Sequence, residues 1–434
     1  MHLSSWVRFG DDGRYSDTFC RDPTFSFFGR ELIMDDSTAR ISRISRDIPP
    51  FLVMDVLERA MEMAVAGEEV IHLEVGEPDF DTPPNIVEAG IRALREGRTH
   101  YTPSTGIPEL RQAVSDHYRR TYGVEVDPQR VVVTSGSSPA IFLVLASLLD
   151  PGCEIIMSDP HYACYPNFVR FLGGVPIFVR VFAEDGFQMN PDDVERAITR
   201  RTRAILINSP SNPTGTVMDA ERMKRIARLG VPIVSDEIYH GLVYEGQEHS
   251  ILELTSHAFV VNGFSKLYAM TGWRLGYLVA LPHHVRPIQK MVQNFFISAS
   301  DFVQWAGVEA LTNSSEQTAV MKSTFNQRRI TMISRLKEMG LGIPVDPTAA
   351  FYILADARHL SEDSYRLAFD ILEQARVGVA PGIDFGSNAE GFLRFSYTSS
   401  LENITAGLDR LELYLRARQG LNERAGARPD RHLK

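Results

Sequence analysis

Cysteine is scarce in this chain. Its three thiols, Cys20, Cys153 and Cys164, stand in no CxxC or other metal-ligand spacing. So sparse and odd a set excludes a disulfide scaffold and reads as reduced thiols of a cytoplasmic protein. Long apolar runs are missing as well. The longest, Ala140–Leu149, falls well short of the roughly 20 residues that span a bilayer, so no membrane partner is expected. The N-terminus has no apolar signal core, so export is not expected either. Positive charge is in deficit, with 45 Lys and Arg against 55 Asp and Glu and a net charge of −10. That balance argues against nucleic acid as a partner, and an anionic ligand would need a local basic site. No GxGxxG or Walker motif occurs, which leaves dinucleotide and nucleotide binding without support. No histidine or carboxylate cluster has metal-ligand spacing, and no metal is expected.

What is present is ordinary for a globular protein: 44% hydrophobic and 23% charged residues over a length of 434, enough for about two domains. Residues 1–33 stand apart, rich in aromatic, Asp, Arg and Ser residues and without a strand or helix period. They read either as a disordered extension or as a start-site artefact, with translation beginning at Met34. From Pro50 the pattern is regular. Leu52, Val53, Val56, Leu57, Ala60 and Met61 share one helical face that ends at Gly67. A strand is expected over Val70–Val75 and helices over Asn85–Glu96 and Pro108–Tyr122.

Short apolar runs then alternate with helical stretches. Strands are expected at Arg130–Thr134, Glu154–Ser158, Val175–Arg180, Ala204–Asn208, Pro232–Asp236, His257–Asn262 and Arg274–Leu281. The intervening helices are Ala140–Leu149, Tyr165–Leu172, Pro191–Arg200 and Asp219–Leu229. This alternation predicts an α/β fold with a mostly parallel, doubly wound sheet. After Val285 two long helices should run to Met339. Strands at Phe351–Ala355, Val377–Ala380 and Leu393–Ser396 then belong to a smaller α+β domain. The basic, polar tail at 419–434 is expected to fray.

Ligands of such sheets sit beyond the carboxyl ends of the strands, and several polar groups fall there. Thr134-Ser135-Gly136-Ser137-Ser138-Pro139 follows a strand and opens a helix, where free N–H groups and hydroxyls make an anion seat; plain N-capping explains the same residues. Asn208-Ser209-Pro210-Ser211-Asn212-Pro213-Thr214-Gly215 is a punctuated loop after another strand. Asp236, at the end of an apolar run, is costly to bury without a partner. Asn262-Gly263-Phe264-Ser265-Lys266-Leu267-Tyr268 sets one lysine among apolar and small residues, and Arg274 follows. Desolvation and a nearby cation lower the pKa of a lysine and free its amine as a nucleophile. Arg394, in Gly391-Phe392-Leu393-Arg394-Phe395-Ser396, is a guanidinium in a strand-like run. It needs an anion, either a substrate carboxylate or a structural Asp or Glu.

These segments, in this order from about Ile48 to Leu415, resemble the class I/II aminotransferases. These form the aspartate aminotransferase-like branch of the fold type I pyridoxal-phosphate enzymes. The resemblance implies a large cofactor-binding domain over 86–300, with 34–85 joined to 301–418 in a smaller one. It implies a pyridoxal 5′-phosphate held as a Schiff base on Lys266. Gly136, Ser137, Ser138, Ser265 and Arg274 would surround the phosphate, and Tyr101 would reach it from the other subunit of a homodimer with shared sites. Gly263 stands where the family often has a small hydroxyl residue, so part of that cup differs. Asp236 would pair with the ring nitrogen, Tyr162 would stack on the ring, and Asn212 and Tyr239 would bind its phenolic oxygen. Arg394, with the Gly76 backbone, would take the α-carboxylate of an amino-acid substrate.

The implied reaction moves an amino group from an L-amino acid to a 2-oxo acid such as 2-oxoglutarate by a ping-pong route. Lys266 would shuttle the proton, aided by Asp236 and Tyr239. A lyase on the same scaffold, of the C–S β-lyase type or one that closes a cyclopropane ring, would share every residue named. A non-catalytic regulator is a third alternative, but residues 1–33 are too short for the helical DNA-binding module it would carry. Arg40, Arg43 and Arg46 could face an acidic substrate side chain or simply be solvated, and the donor is expected to be broad or neutral.

Overall fold

A computed structural model describes residues 41–426, with side chains to residue 418. Expectations for residues 1–33 lie outside the described residues, as does the tail from 427 on. A short exposed helix, Arg43–Asp47, belongs to a unit separate from the body that begins at Ile48.

The strands in chain order are β1 (Ile71–His72), β2 (Val131–Thr134), β3 (Glu154–Asp159), β4 (Val175–Arg180), β5 (Thr202–Asn208) and β6 (Ile233–Asp236). After them come β7 (Ala258–Gly263), β8 (Gly276–Val279), β9 (Tyr352–Asp356), β10 (Val377–Gly378), β11 (Ala380–Pro381) and β12 (Phe392–Ser396). A seven-stranded sheet has the order β2-β8-β7-β6-β5-β3-β4. Within it β3, β4, β5, β6 and β7 pair in parallel, and β8 runs antiparallel to both its neighbours. The mostly parallel α/β sheet expected from the alternation is therefore present. Apart from the edge strand β4, its strands are mostly buried on both faces, and the two-residue period divides the core. Val131, Val133, Ile205, Ile207 and Val260 pack on one side. Val132, Ala204, Leu206, Phe259 and Val261 pack on the other.

Register carries the site. Asn208 stands opposite Asp236, and Gly276 stands opposite both Thr134 and Gly263. The loops after β2, β5, β6 and β7 thus leave one edge together. Because β8 is reversed, Arg274 enters from that same edge. A separate three-stranded sheet, β11-β12-β9, carries Arg394 on its central strand.

Four sequence expectations change. The stretch after Val285 forms three helices, Pro282–Phe295, Asp301–Asn313 and Ser315–Glu338. No proline or glycine marks the breaks, but Ile297 takes φ 66° at the first. The strand expected over Val70–Val75 pairs only at Ile71 and His72, because the carbonyls that follow turn toward other partners described below. Val377–Ala380 splits into β10 and β11, which belong to different sheets. The last helix continues to Gly426, into the tail expected to fray. No described helix is long and apolar enough to cross a membrane.

Candidate active site

Beyond the carboxyl ends of β2, β5, β6 and β7 lies a cavity of about 440 Å³. Of the residues singled out from the sequence, Gly76, Ser137, Ser138, Tyr162, Asn212, Asp236, Tyr239, Ser265, Lys266, Arg274 and Arg394 all line it. Tyr101 does not: it stands 82% exposed, outside the cavity of its own chain.

Lys266 follows β7 on its loop, half-buried, and its Nζ donates to the Gly76 carbonyl at 2.7 Å. Burial pushes the amine down to about 8; Glu77 and Asp236 oppose this, and the Arg394 and Arg274 guanidiniums add to it. Gly76 is required where it is, since a Cβ there would collide with the Tyr352 hydroxyl.

Asp236 ends β6 and is 4% exposed. Its Oδ2 accepts from the Tyr165 hydroxyl at 2.7 Å and its Oδ1 from the Ile238 N–H at 3.1 Å. Both donors are uncharged, and burial pushes the carboxyl up to about 6. Among the described residues no Lys, Arg or His forms a salt bridge with it. Tyr239, one helical turn on, shares a 3.0 Å hydrogen bond with the Tyr352 hydroxyl.

Arg394 is 2% exposed. Its Nη1 donates to Asn212 Oδ1 at 3.0 Å and its Nη2 to the Glu74 carbonyl, while Nε is buried without a partner. The guanidinium lies over the rings of Tyr352 and Phe385, at 4.3 and 4.7 Å from their centroids. Among the described residues it meets no Asp or Glu in a salt bridge. The nearby Asp384 gives its carboxylate to the Leu52 and Val53 N–H groups at 3.0 and 3.1 Å. A structural carboxylate is thus not what Arg394 holds.

The opposite end is open. Helix Ser137–Leu148 starts after Gly136 with no side-chain cap, and neither serine hydroxyl has a hydrogen-bond partner among the described residues. Gly136 has φ 103°, and a Cβ there would lie 2.7 Å from the Arg274 guanidinium, so only glycine lets the two approach. Arg274, itself at φ 53°, donates to the Thr271 carbonyl at 2.9 Å and carries no salt bridge among the described residues. One helix end, two free hydroxyls and a free guanidinium make a seat for a dianion.

The sequence did not single out Tyr165, Tyr352 or Phe51. Tyr165 lies three residues after Tyr162, at the start of helix Tyr165–Phe171. The cost of burying Asp236 called for a partner, but only the fold shows which hydroxyl reaches it.

The sequence model of the class I and II aminotransferases matches residues 68–411. The chain belongs to this family. The aminotransferase is 41% identical to a (5-formylfuran-3-yl)methyl phosphate transaminase of Methanocaldococcus jannaschii, over 84% of this chain and 96% of that protein. It is 40% identical to an aspartate/prephenate aminotransferase of Thermus thermophilus, over 85% and 97%. Among solved structures, the aspartate aminotransferase from Thermus thermophilus with maleate matches at a TM-score of 0.83 and 39% identity, over 86% of this chain and 99% of that one. Relatives of this kind transfer amino groups with pyridoxal phosphate, and so does this enzyme. None of those named here is a lyase.

The residues fit that cofactor. The dianion seat suits its phosphate, and the buried Asp236 lacks the cation that a protonated ring nitrogen would supply. Asn212 spends its amide oxygen on Arg394, which leaves Nδ2 for the phenolic oxygen beside Tyr239.

Proposed function

We propose that the enzyme transfers the amino group of an L-amino acid to a 2-oxo acid, 2-oxoglutarate being the acceptor expected, with Lys266 as the residue that carries the cofactor. The observation that carries this reading is one cavity holding a lysine amine lowered to about 8 between a buried carboxylate and a buried arginine free of carboxylates. When bound, pyridoxal phosphate supplies an electron sink for the bond broken at the donor's Cα. Arg394 takes the donor's carboxylate in its planar fork and fixes Cα in front of Lys266. The Lys266 Nζ, neutral in a useful fraction near pH 8, is placed to accept the proton from Cα and to give it back as an acid. Asp236 would pair with the ring nitrogen, and Tyr162 would cover the ring. Ser137, Ser138, Ser265, Arg274 and the Gly136 backbone would hold the phosphate.

The same reading makes the active unit a homodimer. Tyr101, exposed outside its own cavity, would then close the phosphate seat of the other subunit. It also keeps the division into a large part, 86–300, and a smaller part joining 34–85 to 301–418. One apolar stretch of the cavity wall, Phe51, Val53 and Met54, supports a donor with a neutral side chain. A panel of twenty amino acids with 2-oxoglutarate as acceptor measures that preference.

Lys266→Ala tests the central assignment. Turnover should vanish together with the visible absorbance of lysine-bound cofactor, although cofactor still binds through its phosphate. Turnover retained in this variant refutes the role of Lys266.

A further inference from the structure

Glu74 is a buried carboxylate that the reaction does not use. It is 0% exposed. Its Oε1 meets His72 Nδ1 at 2.7 Å, and its Oε2 has no partner among the described residues. A buried charge with so little compensation is expensive, so its backbone surroundings matter. The Glu74 carbonyl accepts from Arg394 Nη2. The next carbonyl, of Val75, accepts from Thr398 Oγ1 at 3.1 Å, and the one after, of Gly76, accepts from Lys266 Nζ at 2.7 Å. Three consecutive carbonyls thus hold the two functional cations and the segment after β12.

Among the described residues the guanidinium of Arg394 has two hydrogen-bonded anchors, the Asn212 amide and the Glu74 carbonyl. Whatever moves residue 74 therefore moves one arm of the fork. Glu74 cannot relax backward, because it packs against Gly378 so closely that a Cβ there would collide with its carboxylate. His72 is its one side-chain partner among the described residues and lies at the surface, with its side chain 39% exposed.

We propose that His72 and Glu74 form a positioning pair that sets Arg394 for the substrate carboxylate. This rests on the reading of Arg394 given above. The pair touches neither substrate nor cofactor; it acts through the Glu74 backbone. Removing His72 leaves the carboxylate buried with neither oxygen bonded, and the segment must shift to reach water or a proton. Replacing Glu74 by Met, of similar length, at the same time removes both the charge and the hydrogen-bonding groups, and with them the need for a partner.

The test uses the holoenzyme and four forms: wild type, His72→Ala, His72→Ala with Glu74→Met, and Arg394→Ala. His72→Ala should raise KM for the amino donor about tenfold, a size typical of stranding a buried polar group. Its kcat at saturation should stay within about threefold, and the cofactor absorbance should not change. The double variant should recover most of the KM. A KM unmoved in His72→Ala, whether or not the melting temperature falls, overturns the proposal, because a merely structural pair would lower stability alone. An equal rise in the single and double variants overturns it too. Arg394→Ala is the control for the underlying reading: if its KM is normal, the carboxylate seat is wrong, and that failure shows apart from the behaviour of His72.

Discussion

The two ends of the cavity are built on opposite terms. Around Arg394 and Asp236 the polar side chains are buried and mostly bonded to protein: Tyr165 to Asp236, Tyr352 to Tyr239, Asn212 to Arg394. Around Ser137 and Arg274 the hydroxyls are free, the helix end is uncapped and the guanidinium is exposed. Burial explains the difference. A polar group in a low-dielectric interior must be satisfied whether or not a ligand is present, whereas one facing water can wait for its partner. The buried end is therefore set in advance and decides geometry. The open end supplies affinity for a doubly charged group and can be assembled from general-purpose parts.

If the buried end decides geometry, damage there should be large and beyond conservative repair. Arg394→Ala is expected to lower kcat/KM for the amino donor by roughly 100- to 1,000-fold, as loss of a desolvated ion pair does. Arg394→Lys should recover little of this, because an ammonium cannot reproduce the fork that meets Asn212 and Glu74 together. Steady-state kinetics of the two variants check this; near-normal activity in the lysine form breaks the contrast.

Asp236 sharpens it through stability. Its carboxyl titrates at 3.8 when free and about 6 in the fold. A group raised in this way contributes stability that is full below pH 4 and lost as pH rises through 6. Above that, the cofactor-free protein bears a buried ionised carboxylate that forms no salt bridge among the described residues. Asp236→Asn should therefore stabilise the cofactor-free protein by about 1–3 kcal/mol at pH 8 and do nothing at pH 4, while crippling turnover. Melting temperatures across that range, with and without cofactor, are the measurement. A variant less stable than wild type at pH 8 would show that the carboxylate is not under strain.

The same contrast governs what the sequence revealed. The open end was legible because its parts are local: Gly136, Ser137 and Ser138 sit at a strand-to-helix junction that period and turn chemistry mark. Lys266, Asp236 and Asn212 were legible as chemistry-bearing residues at strand ends, and the parallel sheet followed from the alternation. The partners of the buried end were not. Tyr165 and Tyr352 reach their hydrogen bonds across 71 and 113 residues of chain, and the Glu74 carbonyl reaches Arg394 across 320. Such contacts depend on how sheets and loops pack, which no local period encodes. Val70–Val75 shows the limit from the other side. Its residues favour a strand, yet pairing stops where the carbonyls are needed by Arg394, Thr398 and Lys266.

The smallest effects belong to the open end. Ser137→Ala and Ser138→Ala each remove a hydroxyl with no partner among the described residues, so neither should change the melting temperature of the cofactor-free protein measurably. On the proposed reading, each would lose one hydrogen bond to a phosphate that Arg274 and the helix N-terminus would still hold. Affinity for pyridoxal phosphate should fall by about three- to tenfold per variant, the worth of a single such bond. Together the two losses should depart from a simple product, because adjacent hydroxyls that share one phosphate are coupled. Titration of the cofactor-free variants decides the matter. A stability loss in either one would mean that its hydroxyl already serves the protein, and the distinction between the two ends would fail there.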